Sequence, residues 1–186
     1  MESIIVIEGS NEAGKTTVIK NMQIRYNFVS SKSVPDWYRK YIPFARSLAP
    51  ELQKQVYMIG HEANYLSFNE DENYVLDRFF YSTIIRLNYE LKRSVSDTVN
   101  EILKIQILPD IVIYLNTDKK IVLNRLIKRE GFTFDDIFFE YENEVFKQLS
   151  KKCDKMIIVD NNNNIDNTVN EIDNELQIKK ILLKRR

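Results

Sequence analysis

The sequence has little cysteine, histidine, tryptophan, glycine and proline: its 186 residues include one each of the first three and four each of the last two. A single cysteine, Cys153, excludes an internal disulfide framework and favours a reducing compartment. Net charge is absent too, because 27 basic side chains balance 27 acidic ones. Neither nucleic acid nor an anionic membrane is therefore indicated as a partner. We expect a cytoplasmic protein in which any anion site is local.

Long hydrophobic runs are also missing. No apolar segment approaches the roughly 20 residues that cross a bilayer, and the opening MESIIVIEGS lacks the charged and apolar regions of a signal peptide. The length and the hydrophobic share of 44% suit one globular domain over residues 1–186. The sequence thus predicts a soluble, single-domain protein with no membrane partner.

Five short apolar runs lack the alternation of a half-exposed strand, so they indicate strands covered on both faces of a parallel sheet. They span residues 3–8, 27–34, 74–76, 111–115 and 156–159. Helical spacing marks the segments 16–25, 51–68, 83–108, 119–129, 136–151 and 167–183. This alternation predicts an α/β fold in three layers, a five-stranded parallel sheet flanked by helices. The polar run 161–164 is interpreted as a surface turn. The basic carboxyl end, residues 181–186, is expected to end a helix, where basic side chains interact favourably with the helix dipole.

A glycine-rich segment follows the first predicted strand and opens the first predicted helix. It satisfies G-x-x-x-x-G-K-S/T, the P-loop motif, in which backbone N–H groups and a helix N-terminus surround an anion. The motif predicts a site for ATP and Mg²⁺ formed by Gly9, Asn11, Glu12, Ala13, Gly14, Lys15, Thr16 and Thr17. Lys15 is expected to reach the outer phosphates, and the Thr16 hydroxyl to bind the metal.

A P-loop indicates the ligand but not the reaction. A regulatory GTPase needs an aspartate three residues before a glycine, yet Tyr57 precedes Gly60 at that spacing and Lys128 precedes Gly131. The Asn-Lys-x-Asp element that reads guanine is absent from the sequence as well. A small-molecule kinase and a noncatalytic nucleotide-binding module remain.

An aspartate and an arginine follow the third predicted strand. Asp77 and Arg78 come at the carboxyl end of that strand, the edge where parallel α/β sheets bind ligands. Asp77 is expected to hold magnesium through water, and Arg78 to bind an acceptor phosphate with its forked guanidinium. The alternative is that both residues pair with structural partners at the end of an element.

These motifs resemble those of the thymidylate kinase family, and the resemblance covers most of the chain. The P-loop segment 7–17 is similar to that family's opening, and Asp77-Arg78-Phe79 with Ser82 matches its D-R-Y/F-x-x-S signature. The segments 109–115 and 122–129 are similar to the strand and helix that lead into its lid, and 134–149 to the helix after the lid. The resemblance implies the P-loop kinase fold, with a short lid near residues 125–136.

The resemblance also implies a reaction. ATP would phosphorylate a deoxynucleoside monophosphate, such as dTMP, with magnesium bridging the donor oxygens. Lys15, Asp77, Arg78 and Arg129 would be catalytic, and Arg125 would contact the nucleotide. A solvated basic face is the alternative for Arg125 and Arg129, which lie four residues apart. A homodimer is expected by analogy with related kinases.

Several residues depart from the family pattern. Asn11 stands where an acidic residue is usual and Glu12 where Gly or Arg is usual, and segment 33–38 replaces R-E-P-G. The base-reading helix offers either Met58 with Glu62 or Tyr57 with His61, so the acceptor base is open. A buried, hydrogen-bonded His61 is the structural alternative. The aromatic pair Trp37 and Tyr38 is expected either to stack on a base or to pack in the core.

Deoxynucleoside kinases are the nearest rival, because Pro35-Asp36-Trp37 resembles part of their E-P-V-x-x-W segment. Their acceptor is a neutral hydroxyl, which needs a carboxylate base, and Asp36 is the candidate. Phe79 argues against this rival, since the usual signature of these kinases is D/E-R-S. Adenylate-kinase-type enzymes fit less well, because their phosphate loops carry more glycine.

Overall fold

The computed structural model describes residues 3–106, 108–128, 134–181 and 183–185. The strands in these ranges are β1 Ile4–Glu8, β2 Tyr26–Asn27, β3 Val29–Lys32, β4 Tyr74–Asp77, β5 Ile111–Asn116, β6 Met156–Asp160 and β7 Lys184–Arg185. The helices are α1 Lys15–Arg25, α2 Ile42–Arg46, α3 Pro50–Leu66, α4 Phe80–Glu90, α5 Val95–Ile102, α6 Lys119–Leu126, α7 Asp136–Lys152 and α8 Ile165–Ile178, with a 3₁₀ helix at Asp36–Tyr41.

Five strands form one parallel sheet in the order β3-β4-β1-β5-β6. All of β1 is buried, which explains why its sequence shows no polar alternation. Ile7 of β1 lies opposite Asp77 of β4 on one side and Ile113 of β5 on the other. The predicted α/β fold is confirmed, and its register brings the carboxyl ends of β1 and β4 together.

Helices cover both faces of this sheet. Alternate residues of β1 enter different cores: Ile4 and Val6 pack with α4, α5 and α7, whereas Ile5 and Ile7 pack with α1 and α8. Packed apolar side chains make up each cluster, and burial of such surface contributes about 25 cal/mol per Å². The three predicted layers are therefore present, and helices pack on both faces of the strand that leads into the P-loop.

The segment 83–108, predicted as one helical stretch, contains a break. α4 ends at Glu90, Lys92 takes a left-handed φ of 56°, and α5 begins after Ser94. The Ser94 hydroxyl caps α5 by accepting a hydrogen bond from the Asp97 N–H. Apolar periodicity passes through such a turn unchanged, whereas the capping serine is the local signal for it.

The carboxyl end also differs from its prediction. α8 ends at Ile178, Lys180 has a φ of 56°, and Leu183 returns to the core. Lys184–Arg185 then pairs antiparallel with β2. The expectation that these basic residues end a helix is wrong, because the chain reverses after α8 and extends along β2. No described helix has the length and apolar character of a membrane span.

Candidate active site

The P-loop connects β1 to α1 through two glycines with positive φ, Gly9 at 152° and Gly14 at 93°. A Cβ on Gly9 would lie 3.1 Å from the Cβ of Ala13 and 3.2 Å from the carbonyl oxygen of Leu115. Gly14 is the N-cap of α1 in the left-handed region. Both positions require glycine, and the resulting turn places the loop at the amino end of α1, as the motif predicts.

Lys15 folds back over this loop. Its side-chain ammonium donates to the carbonyl oxygens of Gly9 at 3.0 Å and Ser10 at 2.9 Å. Burial, together with the charge of Arg78, lowers the pKa of Lys15 to about 8. A buried ammonium near a second cation is stabilised by an anion, and its third N–H is available to one. The loop therefore fits a phosphate ligand.

Thr16 and Asp77 meet between the P-loop and β4. The Thr16 hydroxyl donates to Oδ2 of Asp77 over 3.0 Å, so the two predicted metal ligands lie together. In the described part of the chain, no cluster of three or more His, Cys, Asp or Glu side chains could hold a metal ion. A carboxylate with a hydroxyl fits Mg²⁺ only if phosphate and water complete the shell, which is the usual arrangement for this ion in kinases.

Arg78 is held in a left-handed backbone conformation, φ 69°. Its guanidinium donates to the Ser82 hydroxyl at 2.7 Å and to the side-chain oxygen of Asn11 at 2.9 Å. A third contact, 3.9 Å long, joins it to Glu142 of α7. The structure therefore brings Arg78 to the P-loop, as the sequence predicts.

A buried carboxylate that the sequence analysis missed fixes this corner. Glu8, the last residue of β1, accepts from the Phe79 N–H at 2.9 Å and from the Ser82 hydroxyl. Burial raises the pKa of Glu8 to about 7. The signal for it in the sequence is an acid at the end of a wholly apolar strand. By accepting hydrogen bonds from two residues that follow Arg78, Glu8 fixes the turn that holds this strained residue.

Side chains from α6 and from the loop after β6 also contact the P-loop. Arg125 donates to the carbonyl oxygen of Glu12 at 2.9 Å, so it contacts the P-loop rather than forming a solvated face. Asn161 is buried and donates to the carbonyl of Ala13, while its own side-chain oxygen accepts from Thr168 at 3.0 Å. The interpretation of 161–164 as a mere surface turn is therefore wrong at Asn161.

Two predicted features fall partly or wholly outside the described residues. Arg129 lies outside them. Of the lid predicted near 125–136, the structure describes residues 125–128 and 134–136. The lid's action and the role of Arg129 stay predictions.

A cavity of about 560 Å³ opens beside Arg78. We call it the acceptor cleft; its lining comes from the P-loop, α2, α3, α4 and α7. The lining residues are Asn11, Arg46, Leu48, Pro50, Gln53, Tyr57, Arg78, Ser82, Thr83, Arg86, Leu87, Glu90, Phe138 and Glu142. Three of them are arginines and two are glutamates. Arg46 forms no ion pair among the described residues, whereas Arg86 pairs with Glu90 at 3.0 Å.

α3 presents Pro50, Gln53 and Tyr57 to the acceptor cleft. Of the two sequence-based alternatives for this helix, the pair Met58 and Glu62 does not reach the cleft. Met58 packs against the core and Glu62 is exposed. The helix places Tyr57 in the cleft instead. Tyr57 lies on the same face as Gln53, because residues four apart in a helix share one face.

His61 has a structural role. Its Nδ1–H donates to the Ser33 carbonyl over 2.8 Å, so Nε2 accepts from the Thr83 hydroxyl at 2.9 Å. Burial lowers the pKa of His61 to about 4, which keeps the ring neutral. The structural alternative for His61 is therefore the correct one.

The 3₁₀ helix takes no part in lining the cleft. Trp37 is 59% exposed, and Tyr38 is buried against Gly60 of α3. The Asp36 side chain is 89% exposed and pairs with Arg39 at 3.4 Å. The core alternative is therefore the correct one for Tyr38, whereas Trp37 and Asp36 are exposed and do not line the cleft, where stacking on a base or base catalysis would need them.

Comparisons with known proteins agree with this geometry. A protein-family model described as thymidylate kinase matches residues 46–172, more than half of the chain. A thymidylate kinase structure from Candida albicans is 16% identical, with a TM-score of 0.68, over 100% of this chain and 97% of that one. A deoxyadenosine kinase from M. mycoides with bound dATP is 21% identical, with a TM-score of 0.65, over 94% and 99%.

A thymidylate kinase structure from Ehrlichia chaffeensis is similar as well, at 18% identity and a TM-score of 0.66, covering 95% of this chain and 99% of that one. At these identities the structural neighbours show a shared fold. Comparison with curated protein sequences gave no match.

Proposed function

The chain belongs to the thymidylate kinase family of nucleotide kinases, and from this premise we propose that it transfers the γ-phosphoryl group of ATP to a deoxynucleoside monophosphate such as dTMP. The observation that carries the proposal is the acceptor cleft. Arg46, Arg78 and Arg86 line it beside the P-loop, so it suits an acceptor with a phosphate of its own.

On the donor side, Lys15, Arg125 and the P-loop backbone would hold the ATP phosphates. Thr16 and Asp77 would hold Mg²⁺, which neutralises charge on the transferred group when it is bound. Arg129, in the predicted lid, would add a further positive charge as the lid closes. Asn11 and Arg78 would lie between ATP and the acceptor, because Asn11 belongs to the P-loop and both residues line the acceptor cleft.

On the acceptor side, Arg46 and Arg78 would bind the phosphate. A nucleotide phosphate has a second pKa of about 6, so it is a competent nucleophile near neutral pH without a strong base. Gln53 and Tyr57 would contact the base, because they line the part of the cleft formed by α3. The Gln53 amide both donates and accepts, which suits the edge of a pyrimidine or a purine.

A deoxynucleoside kinase is the second candidate. The observation that favours it is a buried carboxylate beside Arg78: Glu142 is 2% exposed and could act as base toward a neutral hydroxyl. Three arginines in the cleft argue for the charged acceptor instead. A noncatalytic nucleotide-binding module is the third account, motivated by Asn11 and Glu12.

One assay separates the three candidates. ATP consumption is measured with panels of deoxynucleosides and of their monophosphates, and ATP binding is measured in parallel. The proposal predicts turnover with monophosphates. Turnover with nucleosides alone supports the second candidate, and ATP binding without turnover supports the noncatalytic account.

We also propose that the enzyme is a cytoplasmic homodimer. Apolar side chains are exposed along the consecutive 3₁₀ helix, α2 and α3, among them Trp37, Phe44, Leu52 and Ile59, and patches of this kind often mark interfaces. Sedimentation velocity should give a dimer that Ile59→Lys weakens, with Ile178→Lys on α8 as the exposed control. A monomer at all concentrations would contradict the dimer.

A further inference from the structure

A polar network joins α3, the helix that carries Gln53 and Tyr57 to the acceptor cleft, to α4 and α5. Lys54 of α3 donates from its ammonium to Oδ1 of Asn88 in α4 at 3.0 Å and to Oε1 of Glu101 in α5 at 2.8 Å. The Lys54 side chain is largely buried, and Asn88 is fully buried. Buried polar groups are stable only with directed partners, so the network fixes where these side chains lie.

Asn88 is the centre of the network, because every polar atom of its side chain is bonded. While its oxygen accepts from Lys54, its Nδ2 group donates to Oε2 of Glu101 at 2.9 Å and to the Thr98 hydroxyl at 3.1 Å. The Thr98 hydroxyl in turn lies 2.6 Å from that of Tyr141 in α7. Rotating the Asn88 amide would place its N–H groups against the ammonium and its oxygen against the carboxylate. The amide therefore has one favourable orientation, and it holds α3 in one register against α4.

The Lys54–Glu101 pair is charged at neutral pH. Burial alone would raise the pKa of Glu101, but hydrogen bonds from Lys54 and Asn88 outweigh it and lower that pKa. Charge-assisted hydrogen bonds are stronger than neutral ones and have a preferred geometry, whereas apolar packing has no preferred direction. The contacts of Lys54 therefore restrict sliding and tilting of α3 more than its apolar contacts do.

A second polar contact ties α3 to α4. Nε2 of His61 accepts from the Thr83 hydroxyl at 2.9 Å, and His61 follows Lys54 by about two turns of the helix. Tyr57 lies between them in the chain and lines the acceptor cleft, as Thr83 does on the α4 side. The part of α3 that lines the cleft is therefore held at both ends.

We propose that Lys54, acting through Asn88 and Glu101, is a positioning residue that sets the width of the acceptor cleft between α3 and α4 and thereby its discrimination between acceptor bases. This inference rests on the proposed function, in which Gln53 and Tyr57 contact the base. None of the three side chains of the network is among the described residues that line the cleft. Their effect on the acceptor must therefore pass through the position of α3.

The test compares acceptor discrimination in wild type, Lys54→Met, Glu101→Leu and the double variant. At saturating ATP, kcat and KM are measured for the deoxynucleoside monophosphates of all four bases, and kcat/KM of the best acceptor is divided by that of the poorest. A displacement of about 1 Å at a binding element can cost on the order of 10²-fold. We expect Lys54→Met to raise KM of the best acceptor by about 5- to 20-fold and to lower the ratio by a similar factor, while KM for ATP changes less than about twofold.

The double variant distinguishes one shared action from two separate ones. Since Lys54 and Glu101 hold the same helix, removing both should lower the ratio no further than removing either one. The double variant also leaves neither charge of the pair without its partner, so it decides the question if a single variant fails to fold. Thermal unfolding identifies such a failure.

Arg25→Met is the matched control for a loss of stability alone. Arg25 of α1 pairs with Asp173 of α8 at 2.8 Å, and their side chains are 32% and 15% exposed. The exposed fractions of Lys54 and Glu101 are similar, 16% and 34%. Arg25→Met should lower the melting temperature and leave the acceptor ratio unchanged, because neither partner lies on a helix that lines the cleft.

Each outcome bears on one proposal or on both. An unchanged ratio in Lys54→Met or in the double variant would overturn the inference, as would an equal fall in Arg25→Met or a wild type that uses all four acceptors equally. In these cases turnover of monophosphates leaves the proposed function standing. Turnover of nucleosides alone would overturn the proposed function, and the same ratio measured with nucleosides then decides the inference. No turnover with any acceptor would overturn both.

Discussion

Arg78 shows how much of the site depends on a single residue. Three neighbours from different parts of the chain position its guanidinium: Ser82, Asn11 and Glu142. Its backbone is held in the left-handed region, which is costly for a residue with a side chain. Such a position persists only because surrounding contacts, including those of Glu8, fix the turn.

Arg78→Ala should therefore abolish transfer to the acceptor while sparing ATP affinity. Loss of a charge-assisted contact to the acceptor phosphate is expected to lower kcat/KM at least about 10²-fold. Steady-state kinetics with the best monophosphate, and calorimetry with ATP, measure the two effects. Arg39→Ala, on the exposed 3₁₀ helix, is the control. Unchanged activity in Arg78→Ala would remove Arg78 from the acceptor site.

Two buried residues predict opposite pH effects on stability. Glu8 has a pKa raised from 4.5 to about 7, so between these values the folded protein binds the extra proton and stability falls as pH rises. His61 has a pKa lowered from 6.5 to about 4, so the unfolded chain binds the extra proton and stability rises with pH. The two slopes oppose each other between pH 4.5 and 6.5.

Glu8→Gln should remove the opposition of Glu8 to the His61 slope. From pH 4.5 to 6.5 its free energy of unfolding is expected to rise more steeply than that of wild type, by about 1–3 kcal/mol over the window. Denaturant unfolding at half-unit pH intervals measures this, with Glu140→Gln as the control. Superimposable wild-type and Glu8→Gln profiles would contradict the raised pKa.

Among individual residues, the sequence predicts those that act within a short motif. Lys15 and Thr16 are identified by their spacing from glycine, and Asp77 and Arg78 by their place after a strand. Arg46 and Glu142 reach the acceptor cleft only through the packing of α2 and α7. Their neighbours in the sequence carry no information about that packing, so no local pattern finds them.

Among the elements, α3 depends on a close approach at Gly60. A Cβ there would lie 2.7 Å from two ring carbons of Tyr38 and 3.0 Å from Val34. Tyr38 cannot easily retreat, because its ring is buried and its hydroxyl donates to the Val56 carbonyl. Gly60 therefore sets how closely α3 packs on the 3₁₀ helix.

Gly60→Ala should destabilise the protein. Overpacking costs about 1–3 kcal/mol, against a gain in helix propensity of about 1 kcal/mol, so a net loss on the order of 1 kcal/mol is expected. Chemical denaturation measures it. Glu62→Ala, exposed on the same helix, is the control and should also leave the acceptor preference unchanged. A more stable Gly60→Ala would show that Tyr38 gives way.

The elements themselves were largely predictable, because fully buried strands and long periodic helices leave strong patterns. The predictions of helix and strand bounds fail where the chain turns but the spacing of its apolar residues continues, as at Lys92 between α4 and α5. They also fail where pairing is distant, as between β2 and β7. Neither feature is encoded in the local spacing of apolar residues.

For the whole molecule, the sheet order explains why the site exists. β1 lies between β4 and β5, so the P-loop after β1 is adjacent to the Asp77-Arg78 turn after β4. The sequence predicts this meeting, because the carboxyl ends of parallel strands share one edge. The helices around the edge then decide which acceptor fits, and their arrangement is the part that only the structure supplies.

The proposed function requires an acceptor that already carries a phosphate. The most direct measurement follows the label from γ-labelled ATP, in the presence of both a deoxynucleoside and its monophosphate, and identifies the labelled product. We expect the label in the β-phosphate of a deoxynucleoside diphosphate. Label in the 5′-phosphate of a deoxynucleoside monophosphate would contradict the account.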